Sequence, residues 1–256
     1  MIKAGSKIFG IFFFIALVSF LFYLILLPKK IIKKHINKIE LSGNKFLIEN
    51  DYLQQAKLSD VKNYNDLPLS VIKDRLEKHP YISRADVELK GNKILAYVTE
   101  RKMIAIIIKK TDLYFVSDNF EILPFMPKTK LIDLPVITNP AKNDNLKPFA
   151  YIKSNGLLDA LKIIESIKLT NQGILNHLSE INLRNGGDII LTFSGYPVPV
   201  IFGRGEEVRK MVYLEGLWEN KDLNNMIKNS SYIDLRFAGN IYAGSESNGQ
   251  ITGKIE

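Results

Sequence analysis

The 256-residue chain contains no cysteine, which excludes disulfides, thiolate nucleophiles and cysteine-ligated metal sites. That composition is compatible with an oxidising exterior. Its three histidines, His35, His79 and His177, are scattered and sit at no metal-ligand spacing. No serine lies in a G-x-S-x-G elbow. Gly203-Arg204-Gly205 looks like half a phosphate loop, but no further glycine or Lys-Ser/Thr pair follows; it reads as a strand-to-helix turn. Glu100, Asp118 and Glu121 have no second carboxylate placed to share acid–base work. No catalytic, cofactor-binding or metal residue is therefore predicted, and neither an enzyme activity nor a small-molecule substrate.

An excess of positive charge outside the N-terminal region is lacking as well. The formal net charge is +8. Six lysines (3, 7, 29, 30, 33 and 34) precede residue 35 and no acid precedes Glu40, which leaves 29 basic and 27 acidic residues for the remainder. With no basic stripe interleaved with aromatics, nucleic acid is not an expected partner.

What the chain does have is a long apolar run. Ile8 to Leu27 is 20 residues without a charge, which as a helix spans about 30 Å, the hydrocarbon thickness of a bilayer. It is longer than the core of a signal peptide and continues straight into Pro28-Lys29-Lys30, so an uncleaved anchor is expected. The predicted layout starts with a short cytoplasmic segment 1–7, a transmembrane helix 8–27 and a basic juxtamembrane linker 28–35. Lys29, Lys30, Lys33 and Lys34 are candidate membrane-surface residues, placed to meet anionic headgroups. Counting lysines alone puts the large domain in the cytoplasm, but large domains translocate despite such charge.

Beyond residue 35 the periodicities suggest two units. Ile36–Leu41 alternates loosely, and Ser42-Gly43-Asn44 turns the chain. A helix is predicted over Ile48–Lys57, and a second opens at Asp66-Leu67-Pro68 and stops at His79-Pro80. Strands are predicted at Ala85–Leu89 and Ile94–Thr99, turning at Gly91-Asn92. Later strands are expected at Ile104–Ile108, Leu113–Val116 and Leu134–Ile137, with a hairpin from Ile181–Arg184 to Ile189–Phe193. Helices are predicted at Leu157–Lys168 and Glu206–Trp218. The last expected strand is Tyr232–Phe237, with Ile233, Leu235 and Phe237 on one face and Tyr232, Asp234 and Arg236 on the other.

Several segments in order resemble the FtsQ/DivIB family of bacterial division proteins. They are Ile39-Glu40-Leu41-Ser42-Gly43-Asn44, His79-Pro80-Tyr81-Ile82 through Ala85-Asp86-Val87, Thr99-Glu100-Arg101, Leu134-Pro135-Val136-Ile137, Phe202-Gly203 ahead of Trp218, and Ile233-Asp234-Leu235-Arg236-Phe237. Met103 stands where the family often has proline, and the segment before the anchor is shorter than in many members.

The resemblance implies an α+β fold: a single N-terminal transmembrane helix, a POTRA domain (β-α-α-β-β) over 36–103, then a mostly antiparallel β domain with two helices over 104–244. A flexible tail, 245–256, would follow. It implies a non-enzymatic scaffold in the inner (plasma) membrane at the division septum, its C-terminal domain facing outward. The implied partners are the division proteins FtsB and FtsL and, indirectly, the septal peptidoglycan synthase, bound at the C-terminal edge of the β domain. An edge strand can accept a partner strand, so the candidate partner-binding residues are Tyr232, Asp234, Arg236, Phe237, Ile241 and Tyr242. POTRA domains also serve outer-membrane insertion machinery, which makes an envelope transport or protein-assembly module the alternative. Only one such unit is found, however, and no series of alternating membrane strands.

Overall fold

The computed structural model describes residues 3–26, 36, 38–59, 67–130, 132–196, 198–220, 230–244 and 251–254. Lys29, Lys30, Lys33 and Lys34 lie outside them, as does the expected helix-capping Asp66.

Helix α1, Lys3–Leu26, is 24 residues long. Phe9 and every residue from Phe13 to Tyr23 are exposed. Among the described residues, no helix is long and apolar enough to cross a membrane.

The first globular unit follows the expected order. Strand β1 (Lys38–Ser42) leads to helices α2 (Glu49–Gln55) and α3 (Leu69–Glu77), then strands β2 (Ile82–Lys90) and β3 (Lys93–Glu100). The sheet order is β1-β3-β2, with β1 parallel to β3 and β2 antiparallel to it. Period two is plain in β3, where Ile94, Ala96 and Val98 are buried and Tyr97 is exposed. On α3, Ile72 and Leu76 supply the buried stripe. Gly43 closes the turn after β1 at φ +87°, where a Cβ would come within 2.1 Å of the Val98 carbonyl oxygen, so only glycine fits.

Among the described residues, the second unit is one ten-stranded sheet. Its strands are β4 (Met103–Lys109), β5 (Asp112–Ser117), β6 (Ile122–Pro124), β7 (Val136–Thr138), β8 (Leu178–Asn182), β9 (Ile190–Phe193), β10 (Val200–Ile201), β11 (Tyr232–Asp234), β12 (Asn240–Gly244) and β13 (Ile251–Lys254). In space they run β13-β12-β11-β10-β9-β8-β7-β4-β5-β6. Six of the neighbouring pairs are antiparallel; β4–β7, β7–β8 and β10–β11 are parallel. Helices α4 (Asn155–Thr170) and α6 (Glu207–Glu219) pack together. Their buried side chains, among them Leu161, Ile164, Met211 and Leu214, share one core with Ile137, Ile181, Leu191, Val200 and Ile233.

Four expectations need correction. The β unit has three α-helices among its described residues, because the four-residue α5 (Gln172–Leu175) follows α4 directly. The boundary expected after residue 103 falls inside a strand, since Met103 opens β4. Of the expected tail, Ile251–Lys254 is a strand paired with β12. The predicted strand Tyr232–Phe237 ends at Asp234 and is not the last one. Asp234 turns its carboxylate back onto the Arg236 main chain, accepting from its N–H at 3.0 Å, and this local bond ends the extended run.

The two units share a core. Met103, Phe115 and Leu123 of the large sheet are buried in the same cluster as Leu47, Tyr52 and Ile72 of the small unit. Phe115 meets Phe46, Tyr81 and Phe125 at ring separations of 5.1–6.3 Å. The buried Tyr81 hydroxyl accepts from Met126 N–H at 2.8 Å and reaches the Pro124 carbonyl at 3.1 Å and Thr129 Oγ1 at 3.0 Å. The Glu100-Arg101 pair clamps both sides. Glu100 Oε1 accepts from the N–H groups of Lys45 and Phe46 at 2.9 and 3.0 Å and from the Tyr52 hydroxyl. Arg101 donates to Glu121 at 2.7 Å, and its N–H to the Tyr81 carbonyl at 2.8 Å. Glu100 and Glu121 thus make structural bonds.

Candidate partner interface

Strand β11 carries Ile233 inward, beside an exposed Tyr232 and a buried Asp234. Ile233 pairs with Val200 on one side and Ala243 on the other, and it is fully buried. Hydrogen bonds therefore occupy both edges of β11, which corrects the expectation that it accepts a partner strand. The strands at the ends of the sheet are β6 and β13.

The structure divides the six candidate residues. Ile241 is 8% exposed and belongs to the core. Asp234 is 4% exposed, and Arg236 takes up its carboxylate: Nη2 donates to Oδ2 at 2.6 Å and Nε to Oδ1 at 3.0 Å. Ile241 and Asp234 are both covered in the structure as it stands. Tyr232, Arg236, Phe237 and Tyr242 do reach the surface. The Tyr232 ring lies over its pair partner Gly244, where a Cβ would meet it at 2.3 Å. Phe237 is 52% exposed and meets Tyr242 edge-on at 5.1 Å. The Arg236 guanidinium sits 5.8 Å from the Phe237 ring centroid, a cation–π arrangement.

Arg236 is held from below. Nη1 donates to Asp188 at 2.8 Å while Nη2 and Nε hold Asp234. Burial pushes the Asp234 carboxyl up, but its bonds to Arg236 outweigh that and hold it below its ordinary pKa. Lys210, almost fully buried on α6, donates to the Phe202 and Arg204 carbonyls at 2.9 and 3.2 Å. Burial lowers its pKa, and Glu206 and Glu207 counteract this. Gly203, at φ +67°, passes beneath Arg236; a Cβ there would lie 2.8 Å from Arg236 Cγ. Neither Asp188 nor Lys210 is a sequence-derived candidate; Asp188 joins this cluster only through its bond to Arg236, 48 positions away. The Phe202-Gly203 motif was the one local signal. Among the described residues, no group of three or more His, Asp or Glu could hold a metal ion.

Comparison with known proteins decides the family. The model described as "Cell division protein FtsQ/DivIB, C-terminal" matches residues 105–236, just over half of the chain. The chain belongs to the FtsQ/DivIB family. The model "POTRA domain, FtsQ-type" matches residues 34–101, the small unit. Two relatives extend the match. "Cell division protein FtsQ" of Geotalea daltonii is 27% identical over 207 residues, covering 80% of this chain and 74% of the relative. "Cell division protein DivIB" of Clostridium tetani is 23% identical over 215 residues, covering 80% and 77%. This FtsQ/DivIB protein has its role in cell division, as part of the division complex, and its family is a non-enzymatic scaffold.

Proposed function

We propose that this chain is itself a non-enzymatic, membrane-anchored scaffold. It recruits FtsB/FtsL-type partners to the septum and, through them, links to septal peptidoglycan synthesis. The anchor is the uncharged N-terminal run Ile8–Leu27, whose 20 residues would reach about 30 Å as a helix, the thickness of a bilayer's hydrocarbon core. Phe13 to Tyr23 are exposed on all sides of the helix, and a helix apolar all round needs lipid or a protein interior. Lys29, Lys30, Lys33 and Lys34 then stand at the membrane surface, and the POTRA and β units face outward.

The observation that carries the partner reading is the exposed group Arg236–Phe237–Tyr242 beside the terminal strands of the sheet. Arginine and aromatics concentrate in interface hot spots, and an open sheet edge offers main-chain bonds to an added strand. The test uses the full-length protein with a fluorescent tag at its N-terminus. Wild type is expected as a midcell band and to co-purify with the FtsB/FtsL pair. The double variant Phe237→Ala/Tyr242→Ala is expected to lose both while keeping its abundance. Unchanged localisation and co-purification in the double variant would exclude this surface.

A further inference from the structure

The end of the sheet where a partner would add is already covered. Strand β13 lies antiparallel on β12, with Ile251 opposite Ala243, Thr252 opposite Tyr242, Gly253 opposite Ile241 and Lys254 opposite Asn240. We propose, on the strand-addition reading above, that Ile251–Lys254 is a resident placeholder which a partner strand displaces from β12.

Three observations support displacement. The pairing is only four residues long, at the end of the sheet, so few main-chain bonds hold the strand in place. A glycine stands inside the strand, where it weakens pairing by its backbone entropy and brings no side chain to pack. It stands opposite Ile241, the most inward residue of β12, so the resident strand forgoes apolar contact at the position where contact is worth most. An incoming strand remakes the same main-chain bonds, so side chains decide the exchange. The strand that wins is antiparallel to β12, carries a large apolar residue opposite Ile241, and brings a second apolar or aromatic residue to Tyr242 and Phe237.

The resident strand holds its place by effective concentration, being tethered to β12 by the six residues 245–250. In the free protein it hides the main-chain groups of β12 from unwanted pairing. It also lowers the apparent partner affinity by the fraction of time it stays docked.

The test compares full-length protein in nanodiscs in three forms: wild type, a deletion of residues 245–256, and the double variant Asn240→Cys/Lys254→Cys. The chain has no other cysteine, so oxidation can tie only β12 to β13. The first probe is a synthetic peptide of residues 245–256. It is expected to bind the deletion form and not wild type; failure to bind the deletion form would mean that β12 does not accept a strand in trans. The second probe is the FtsB/FtsL pair. Its affinity is expected to rise about tenfold on deletion and to fall about tenfold in the oxidised double variant relative to the same protein reduced. Weaker binding by the deletion form would make Ile251–Lys254 part of the partner surface and overturn the placeholder. Equal binding by the oxidised and reduced forms would overturn displacement. If the pair binds none of the three forms, the partner reading fails, and the peptide result alone decides whether the edge opens.

Discussion

The junction between the two units and the C-terminal edge of the sheet are both rich in aromatics, yet they are built on opposite terms. At the junction, Tyr81 and Phe115 are sealed from solvent and the Tyr81 hydroxyl has three partners. At the edge, Phe237 and Tyr242 reach the surface with one ring contact to each other, over a charge cluster that closes on itself. The same residue types thus make a joint in one place and, on the proposed function, a recognition surface in the other. Buried aromatics return their apolar area as stability. Exposed ones leave that area available for a partner to cover.

The sharpest way to break this contrast is Phe115→Ala. Removing a ring packed against Phe46, Tyr81 and Phe125 is expected to cost about 3–5 kcal/mol in urea unfolding and to leave partner affinity of the folded protein unchanged. Reduced affinity at full folding would show that the junction communicates with the edge.

The next effect is of pH. His79 is buried beside Tyr52 and Tyr81, and its Nδ1 accepts from the Tyr81 N–H at 3.1 Å. Burial lowers its pKa from 6.5 to about 4. The unfolded chain therefore binds the proton first. The stability contributed by neutral His79 is complete above pH 6.5 and drains away as pH falls towards 4, by up to about 3 kcal/mol. A urea midpoint measured from pH 7 to 4 should fall in wild type more steeply than in His79→Gln; equal slopes would remove His79 as the cause.

Phe237→Ala should reverse the pattern of Phe115→Ala. It is expected to weaken partner binding by about 2 kcal/mol in a titration, with a stability change within about 0.5 kcal/mol. A large loss of stability would place Phe237 with the core instead. The smallest effect belongs to neither region. Arg84→Ala, which breaks the exposed pair with Asp86 at 3.0 Å, should shift unfolding by no more than about 0.5 kcal/mol.

The β-α-α-β-β order was legible because each element carries its own period. Alternation in Ile94–Val98 and the Ile72/Leu76 spacing say strand and helix within a few residues, and Gly91-Asn92 marks the turn between β2 and β3. Helix α4, expected at Leu157–Lys168, is observed at Asn155–Thr170 for the same reason. Four of the six interface candidates reach the surface, but Asp234 and Ile241 do not. Alternation put Asp234 on the same face as Arg236, and the structure joins the two but buries the carboxylate. What alternation could not show is that Asp188, 48 positions before Arg236, would arrive to close the charge cluster around it.

By itself, then, the sequence determined the apolar N-terminal helix, the two units and their periods, and the family motifs, because each rests on residues close together in the chain. Only the tertiary structure decided that β11 lies inside the sheet, that Tyr81 and Phe115 bind the two units into one core, and that Ile251–Lys254 covers β12. Those are choices of neighbour between strands distant in sequence. A strand's own pattern tells which face it buries, but main-chain hydrogen bonds are the same whichever strand supplies them.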